Sequence, residues 1–298
     1  MDIRKLGVAL RPALVLAAVI ATCAWAQNFR PRSGIGAIPA WHGIYCEFRT
    51  NPVGGKRAAG DPTGTENDRN LFTFGGHGNV PALTLEHNPI STQTILAPVV
   101  AANGLDLGSQ DQTDDDGMQW HTGAEAMALG AGQFVTRTTA FYAQFLDIVV
   151  ADVSGTDDLA FGLREVEAVA AAIDDYTDLA CLNIISGTVT QETILGNAAT
   201  TTDSSGFPSV ADAGRISFRI MVDIAGVTTM AYSTDRAYST NGIRQRQSWT
   251  SLNSVDTDYT FADALNVGPF IYAKQAADVM GVVTIRGLEA GVGSPPNP

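Results

Sequence analysis

A chain of 298 residues with 45% hydrophobic and 16% charged side chains can close a sizeable core, which excludes a wholly disordered protein. Eighteen Lys and Arg against 31 Asp and Glu leave a net charge of −13, so no basic surplus exists to displace counterions from DNA or RNA, and nucleic acid is not expected as a partner. Thirty glycines, 13 prolines and few charges are the habit of extracellular β-proteins rather than of helical enzymes.

Residues 1–26 read as a secretory signal. Arg4, Lys5 and Arg11 precede an apolar run from Ala13 to Ala24, and Ala24-Trp25-Ala26 places small residues at both positions a signal peptidase inspects. The run is shorter than the roughly 20 residues that span a bilayer, so export with Gln27 first is expected rather than anchoring. No later stretch is long and apolar enough to cross, and the mature chain is expected to have no membrane span. It keeps Cys46 and Cys181. They could pair, closing a long loop at a gain of about 4 to 5 kcal/mol, or stay as buried thiols, and Cys181 within Leu179-Ala180-Cys181-Leu182 suits the second role as a small hydrophobe.

From 27 to 132 the chain is broken by Gly, Pro and Asn, as in Asn51-Pro52-Val53-Gly54-Gly55 and Gly75-Gly76-His77-Gly78-Asn79. Such punctuation predicts a loop-rich arm with short strands at Ile44–Arg49, Leu71–Phe74 and Thr94–Val100. The pattern changes near Gln133. Strands are predicted at Phe134–Val150, Leu159–Val169, Leu179–Ser186, Thr188–Leu195, Ile216–Val222, Val227–Tyr232, Phe270–Lys274 and Val282–Leu288. In Ile216–Val222 the even-numbered residues are apolar, which puts one face on a core. Ser186-Gly187 and Asp223-Ile224-Ala225-Gly226 supply hairpin turns. The expected fold is all-β, an antiparallel β-sandwich over 133–291 of jelly-roll type. Val166–Asp175 carries four alanines that suit a helix, although Val166, Val169 and Ile173 also suit strand and loop. The polar stretch 236–258, which holds the local basic pair Arg244 and Arg246, reads as an insertion between strands, and 292–298 as a flexible tail.

The string Asp152-Val153-Ser154-Gly155-Thr156-Asp157-Asp158-Leu159-Ala160-Phe161-Gly162-Leu163-Arg164, with Ala172-Ile173-Asp174-Asp175-Tyr176 and Leu182-Asn183-Ile184-Ile185-Ser186-Gly187, resembles proteins encoded by marine tailed phages and their metagenomic relatives. The likeness continues through Glu192–Thr200, Ala225–Thr228 and Gly268–Tyr272, and covers about residues 130–291. It implies a concanavalin-like jelly roll and a virion component. The signal segment and the length of the 236–258 insertion depart from that family.

Several constellations bear on chemistry. Glu165-Val166-Glu167 would set two carboxylates on one strand face, as in a laminarinase-type glycosidase, although the third acid of that pattern is absent. Asp157, Asp158, Asp174 and Asp175, with Asp152 and Asp178 nearby, are candidate calcium ligands converging from adjacent loops, and Asp111, Asp114, Asp115 and Asp116 form a second acidic loop without the spacing of an EF-hand. Both groups also suit plain solvated turns. His42, His77, His87 and His121 are too scattered for a zinc site. Trp120, Tyr142, Tyr238, Trp249 and Tyr259 are candidates for stacking on a glycan, or for core and subunit contacts. The expected function is a non-enzymatic structural or surface protein of a virion or comparable extracellular assembly, with copies of itself or other assembly proteins as partners, a surface glycan as ligand and no cofactor except calcium. The alternative is a secreted lectin-like carbohydrate-binding module or glycoside hydrolase.

Overall fold

The computed structural model describes residues 43–48, 53–57, 70–73, 82–87, 99–108, 118–122, 134–168, 170, 172–204, 206–207, 209–252, 259–275 and 281–295. They fall in one unit of the chain, 42–76 with 80–298; the other unit, 1–41 with 77–79, and with it the signal segment, lies outside the described residues.

In chain order the strands of the first half are β1 (Gly43–Glu47), β2 (Val53–Arg57), β3 (Asn70–Thr73), β4 (Ala82–His87), β5 (Val99–Ala101), β6 (Gly104–Asp106), β7 (Met118–His121), β8 (Phe134–Val135) and β9 (Phe141–Val150). There follow β10 (Thr156–Glu165), β11 (Leu179–Ile185), β12 (Thr188–Ile194), β13 (Thr201–Ser204), β14 (Arg215–Val222), β15 (Thr228–Ser233), β16 (Thr250–Ser251), β17 (Asn266–Gln275), β18 (Val283–Ile285) and β19 (Gly287–Val292). One sheet, A, runs β16-β15-β14-β9-β18-β6-β5, with β19 following β18 along the same side of β9 and β1 closing on β19. The other, B, runs β13-β12-β11-β10-β17-β7-β4-β3-β2, with β8 beside the start of β17. Every ladder is antiparallel. The expected all-β antiparallel sandwich is the observed architecture.

Alternation decides which side chains meet between the sheets. From β14, Ile216, Phe218, Ile220 and Val222 enter the core, as the sequence pattern requires. From β10, Leu159, Phe161 and Leu163 face them, and the Phe161 ring lies 5.6 Å from Phe145 and 5.8 Å from Phe218 across the gap. β9 carries apolar residues on both faces, interrupted by Gln144 and Asp147, because both of its faces are buried. A bulge against β14, between Ile216 and Phe218, turns Phe145 and Ile148 to the same inner face and leaves Tyr142, Gln144 and Leu146 on the outer one.

Chain segments cover parts of both outer faces. On sheet B, the stretch between β10 and β11 brings Ile173 and Tyr176 down on Ala160, Leu179, Cys181, Ile194, Phe270 and Tyr272. Instead of a helix it is a loop with one 3-10 turn at Ile173–Asp175, because Arg164, buried on that face, draws in the carbonyls of Glu165 and Glu167 at 2.6 and 3.1 Å. Gly162 lies below it, and a Cβ there would meet Cys181 Cβ at 2.4 Å and the Ala180 carbonyl oxygen at 2.5 Å, so no other residue fits.

The arm expected over 27–132 is not separate from the sandwich. β7 sits inside sheet B between β4 and β17, β6 extends sheet A from β18, and β1 pairs with the final strand. Phe48, Leu85, Leu105, Leu107, Met118 and Trp120 belong to the shared core. The punctuation that suggested loops marks the ends of strands of three to six residues, too short for an alternation to show. The tail expected from 292 begins one residue later, since β19 runs to Val292.

Deleting residues 27–130 is therefore expected to prevent folding rather than to release an intact sandwich, which circular dichroism and a denaturation curve of the truncated chain will show. In the whole chain Phe161→Ala should cost about 3 to 5 kcal/mol in urea denaturation.

Candidate functional site

The residues singled out by spacing do not assemble into the expected sites. β10 ends at Glu165, and Glu167 lies beyond it, accepting from the Thr177 amide and hydroxyl at 2.8 Å each, so the two carboxylates do not share a strand face. Burial first, then the charges of Glu167 and Asp178, push the Glu165 carboxyl above its ordinary range. The four calcium candidates take separate partners. Asp157 pairs with Lys274 at 2.8 Å, Asp158 accepts from Asn183 at 2.7 Å, Asp174 from the Thr200 hydroxyl at 2.8 Å, and Asp175 from the Ala172 amide at 3.3 Å. No group of three or more His, Cys, Asp or Glu that could hold a metal occurs among the described residues, so this donor set does not fit calcium. Asp111, Asp114, Asp115 and Asp116 lie outside the described residues, as do His42 and His77. Cys181 is a free, fully buried thiol, pushed well above its usual value by burial and by the Glu192, Asp158 and Asp174 charges, while the side chain of Cys46 lies outside the described residues.

Near that thiol, the Asn183 amide nitrogen bridges two carboxylates, Asp158 at 2.7 Å and Glu192 at 3.1 and 3.2 Å, while its oxygen accepts from the Leu159 amide at 2.9 Å. Burial raises both carboxyls above their ordinary range, with the Asn183 bond opposing it in each. The trio braces three neighbouring strands, β10, β11 and β12, and its hydrogen bonds are spent within the sheet.

The outer face of sheet A is different. Between β15 and β16 the chain leaves the sheet edge and returns over the face as a flap, Thr234 to Trp249. Asp147 holds its near end. This residue is 2% exposed, sits in the β9 bulge at φ +54°, accepts from the amides of Ala237 and Tyr238 at 2.7 and 3.3 Å, and pairs with Arg215 at 3.2 Å. Gln247 holds the far end, its amide nitrogen donating to the Ser217 hydroxyl and the Asp235 carbonyl, both at 2.9 Å. Arg244, in the middle, pairs with the buried Glu289 of β19 at 2.9 Å. Leu146, Ala237, Tyr238 and Trp249 pack as a small apolar cluster under the flap.

Where the flap ends it leaves an open cleft of about 620 Å³, lined by Arg219, Met221, Gln247, Trp249, Ser294 and Pro295 among others. The Arg219 guanidinium lies 3.9 Å over the centre of the half-buried Trp249 ring. Among the described residues it makes no hydrogen bond and no ion pair, and its Nε is buried without a partner. Burial and then the Arg244 charge lower it to about 10, against the opposing pull of Glu289. Its register neighbour Gln144 is fully buried with both amide atoms unpartnered. Arg164 on sheet B makes the contrast: stacked over Tyr176 at 4.7 Å, it gives Nη2 and Nε to the Gln119 amide oxygen at 2.6 and 2.9 Å and Nη1 to two carbonyls.

Of the five aromatics considered for glycan stacking, Trp120, Tyr142, Tyr238 and Tyr259 are buried, and Trp249 alone keeps appreciable exposure. The sequence also marked Arg244 and Arg246, both beside the cleft. Arg219 and Gln144 escaped it, although the alternation of β14 already turned Arg219 away from the core.

No family model and no curated protein matches the chain. Among solved structures it is similar to a protein of unknown function from Shewanella oneidensis MR-1, at 14% identity and TM-score 0.44 over 76% of this chain and 87% of that one. It is also similar to arcelin-5, a lectin-like defence protein from Phaseolus vulgaris, at 9% identity and TM-score 0.39 over 72% and 93% of the two chains. A third is the metal-free lectin I-B4 from Griffonia simplicifolia, at 13% identity and TM-score 0.38 over 71% and 93%. These likenesses concern the lectin-like jelly-roll sandwich and carry no statement about function.

Asp147→Ala should destabilise the chain by about 3 kcal/mol or more, because it strands Arg215 and two amides in a buried place, while Asp263→Ala, which breaks the exposed pair with Arg137, should change it by under about 1 kcal/mol. Urea denaturation compares them. A carboxyl raised in the folded state favours folding below its unfolded pKa, and that advantage is lost as pH rises through the folded value. Glu192→Gln should therefore flatten the fall in stability above about pH 4 relative to wild type, measured as denaturation midpoints across pH 3 to 8.

Proposed function

We propose that this chain is a non-enzymatic carbohydrate-binding module whose ligand enters the cleft at Trp249. The observation that carries the reading is an open cleft on the outer face of sheet A whose lining joins a half-buried aromatic ring, Trp249, to an arginine, Arg219, that makes no hydrogen bond among the described residues. A sugar ring offers both an apolar C–H face and a rim of hydroxyls. Trp249, Met221 and Pro295 suit the first, and Ser248 and Ser294 the second. The volume matches a saccharide of one or two rings. Glycoside hydrolysis is not part of the proposal, since among the described residues the paired carboxylates brace sheet B and none lines the cleft. The signal-like segment 1–26 supports an extracellular place for the module, and the resemblance to phage-encoded proteins supports its use in attaching a particle or similar assembly to a glycan-bearing surface.

A saccharide array probed with the full chain is expected to retain a small set of glycans without cleaving them, and Trp249→Ala to weaken their binding at least about tenfold. Absence of any retained saccharide, or undiminished binding by the variant, would overturn the reading.

A further inference from the structure

The state of Arg219 narrows the ligand class, on the premise that the cleft binds a saccharide. We infer that the cleft selects anionic saccharides, those carrying a carboxylate or sulfate on the ring, and that the Arg219 guanidinium is the group that receives the anion.

A desolvated guanidinium is normally surrounded by acceptors, as Arg164 is, because each buried donor left without one keeps its desolvation penalty uncompensated. Arg219 is denied this. Its strand neighbours across the sheet are Gln144 on one side and Ala231 on the other, neither a counter-ion. Among the described residues the carboxylate that acts on it, Glu289, is already bonded to Arg244. What holds Arg219 is the Trp249 ring, and that contact engages its π face only. Stacking leaves the in-plane N–H groups as a fork, and a planar fork of donors matches the two oxygens of a carboxylate or sulfate. Arg246 stands exposed on the cleft wall and adds a second positive charge, so the site is a local basic spot on a chain of net charge −13. Burial and the Arg244 charge both oppose the cation in the free protein, and an anion in the cleft relieves both.

Calorimetry on the full chain tests this with four probes: a galacturonic acid trisaccharide, its methyl ester, a sulfated galactose trisaccharide and the neutral galactose trisaccharide. At least one acidic probe is expected to bind about tenfold or more tighter than its uncharged counterpart, and which of the two does so assigns carboxylate or sulfate. Arg219→Gln should reduce that probe to the level of the uncharged one. Arg219→Lys, which keeps the charge but loses the fork, should recover only part of the difference. Acidic and uncharged probes binding alike would overturn this inference and leave saccharide binding standing, whereas no binding of any probe here and no saccharide retained on the array would overturn both. The comparison of acid with ester uses the wild-type chain alone, so it decides the matter even if the Arg219 variants do not fold.

Discussion

The carboxylate of Asp147 is the contact on which the candidate site depends. A residue at φ +54° within a strand is strained for most side chains, and Asp tolerates the left-handed region better than most. Its position in the bulge does two things at once. The extra residue shifts the register of β9, so that Phe145 and Ile148 both serve the core and Leu146 is left outside. The carboxylate, now on the outer side, takes the amides of Ala237 and Tyr238 in the returning flap and the guanidinium of Arg215. Core packing and flap docking are thus set by one local distortion, and the cleft is the space left where the flap stops short.

The two covered faces solve the same problem by different means. On sheet B the connection after β10 seals its face with Tyr176 and Ile173, and every group of Arg164 is answered by protein. On sheet A the flap seals only part of the face, and the arginine at its margin is answered by an aromatic ring alone. One chain thus supplies both a structural arginine and one whose hydrogen bonding is unspent among the described residues.

Much of the sandwich was legible in the sequence. β14 shows its alternation openly, and the turns at Ser186-Gly187 and Asp223–Gly226 bound hairpins that exist. The first half was less legible because its strands are three to six residues long and take their stability from distant partners, β7 from β17 and β1 from β19, which no local pattern records. The site was half legible. Trp249, Arg244 and Arg246 stood out by type, but a lone Arg219 between Phe218 and Ile220 looks like any solvent-facing strand residue until the fold lays a flap beside it. The aspartates failed as a ligand set for the opposite reason. They are near one another in sequence, and the fold gives each a separate partner.

Cys181 lies between sheet B and its covering loop, beneath Ile173 and Tyr176, with no solvent contact. Thiolate is the reactive form, and both the raised titration and the enclosure withhold it. An alkylating reagent can reach this sulfur only during excursions in which the loop lifts from the sheet. The rate of its modification is then a clock for that opening alone, and it reports the local breathing of sheet B on a timescale set by the Arg164 and Tyr176 contacts rather than by unfolding of the whole sandwich.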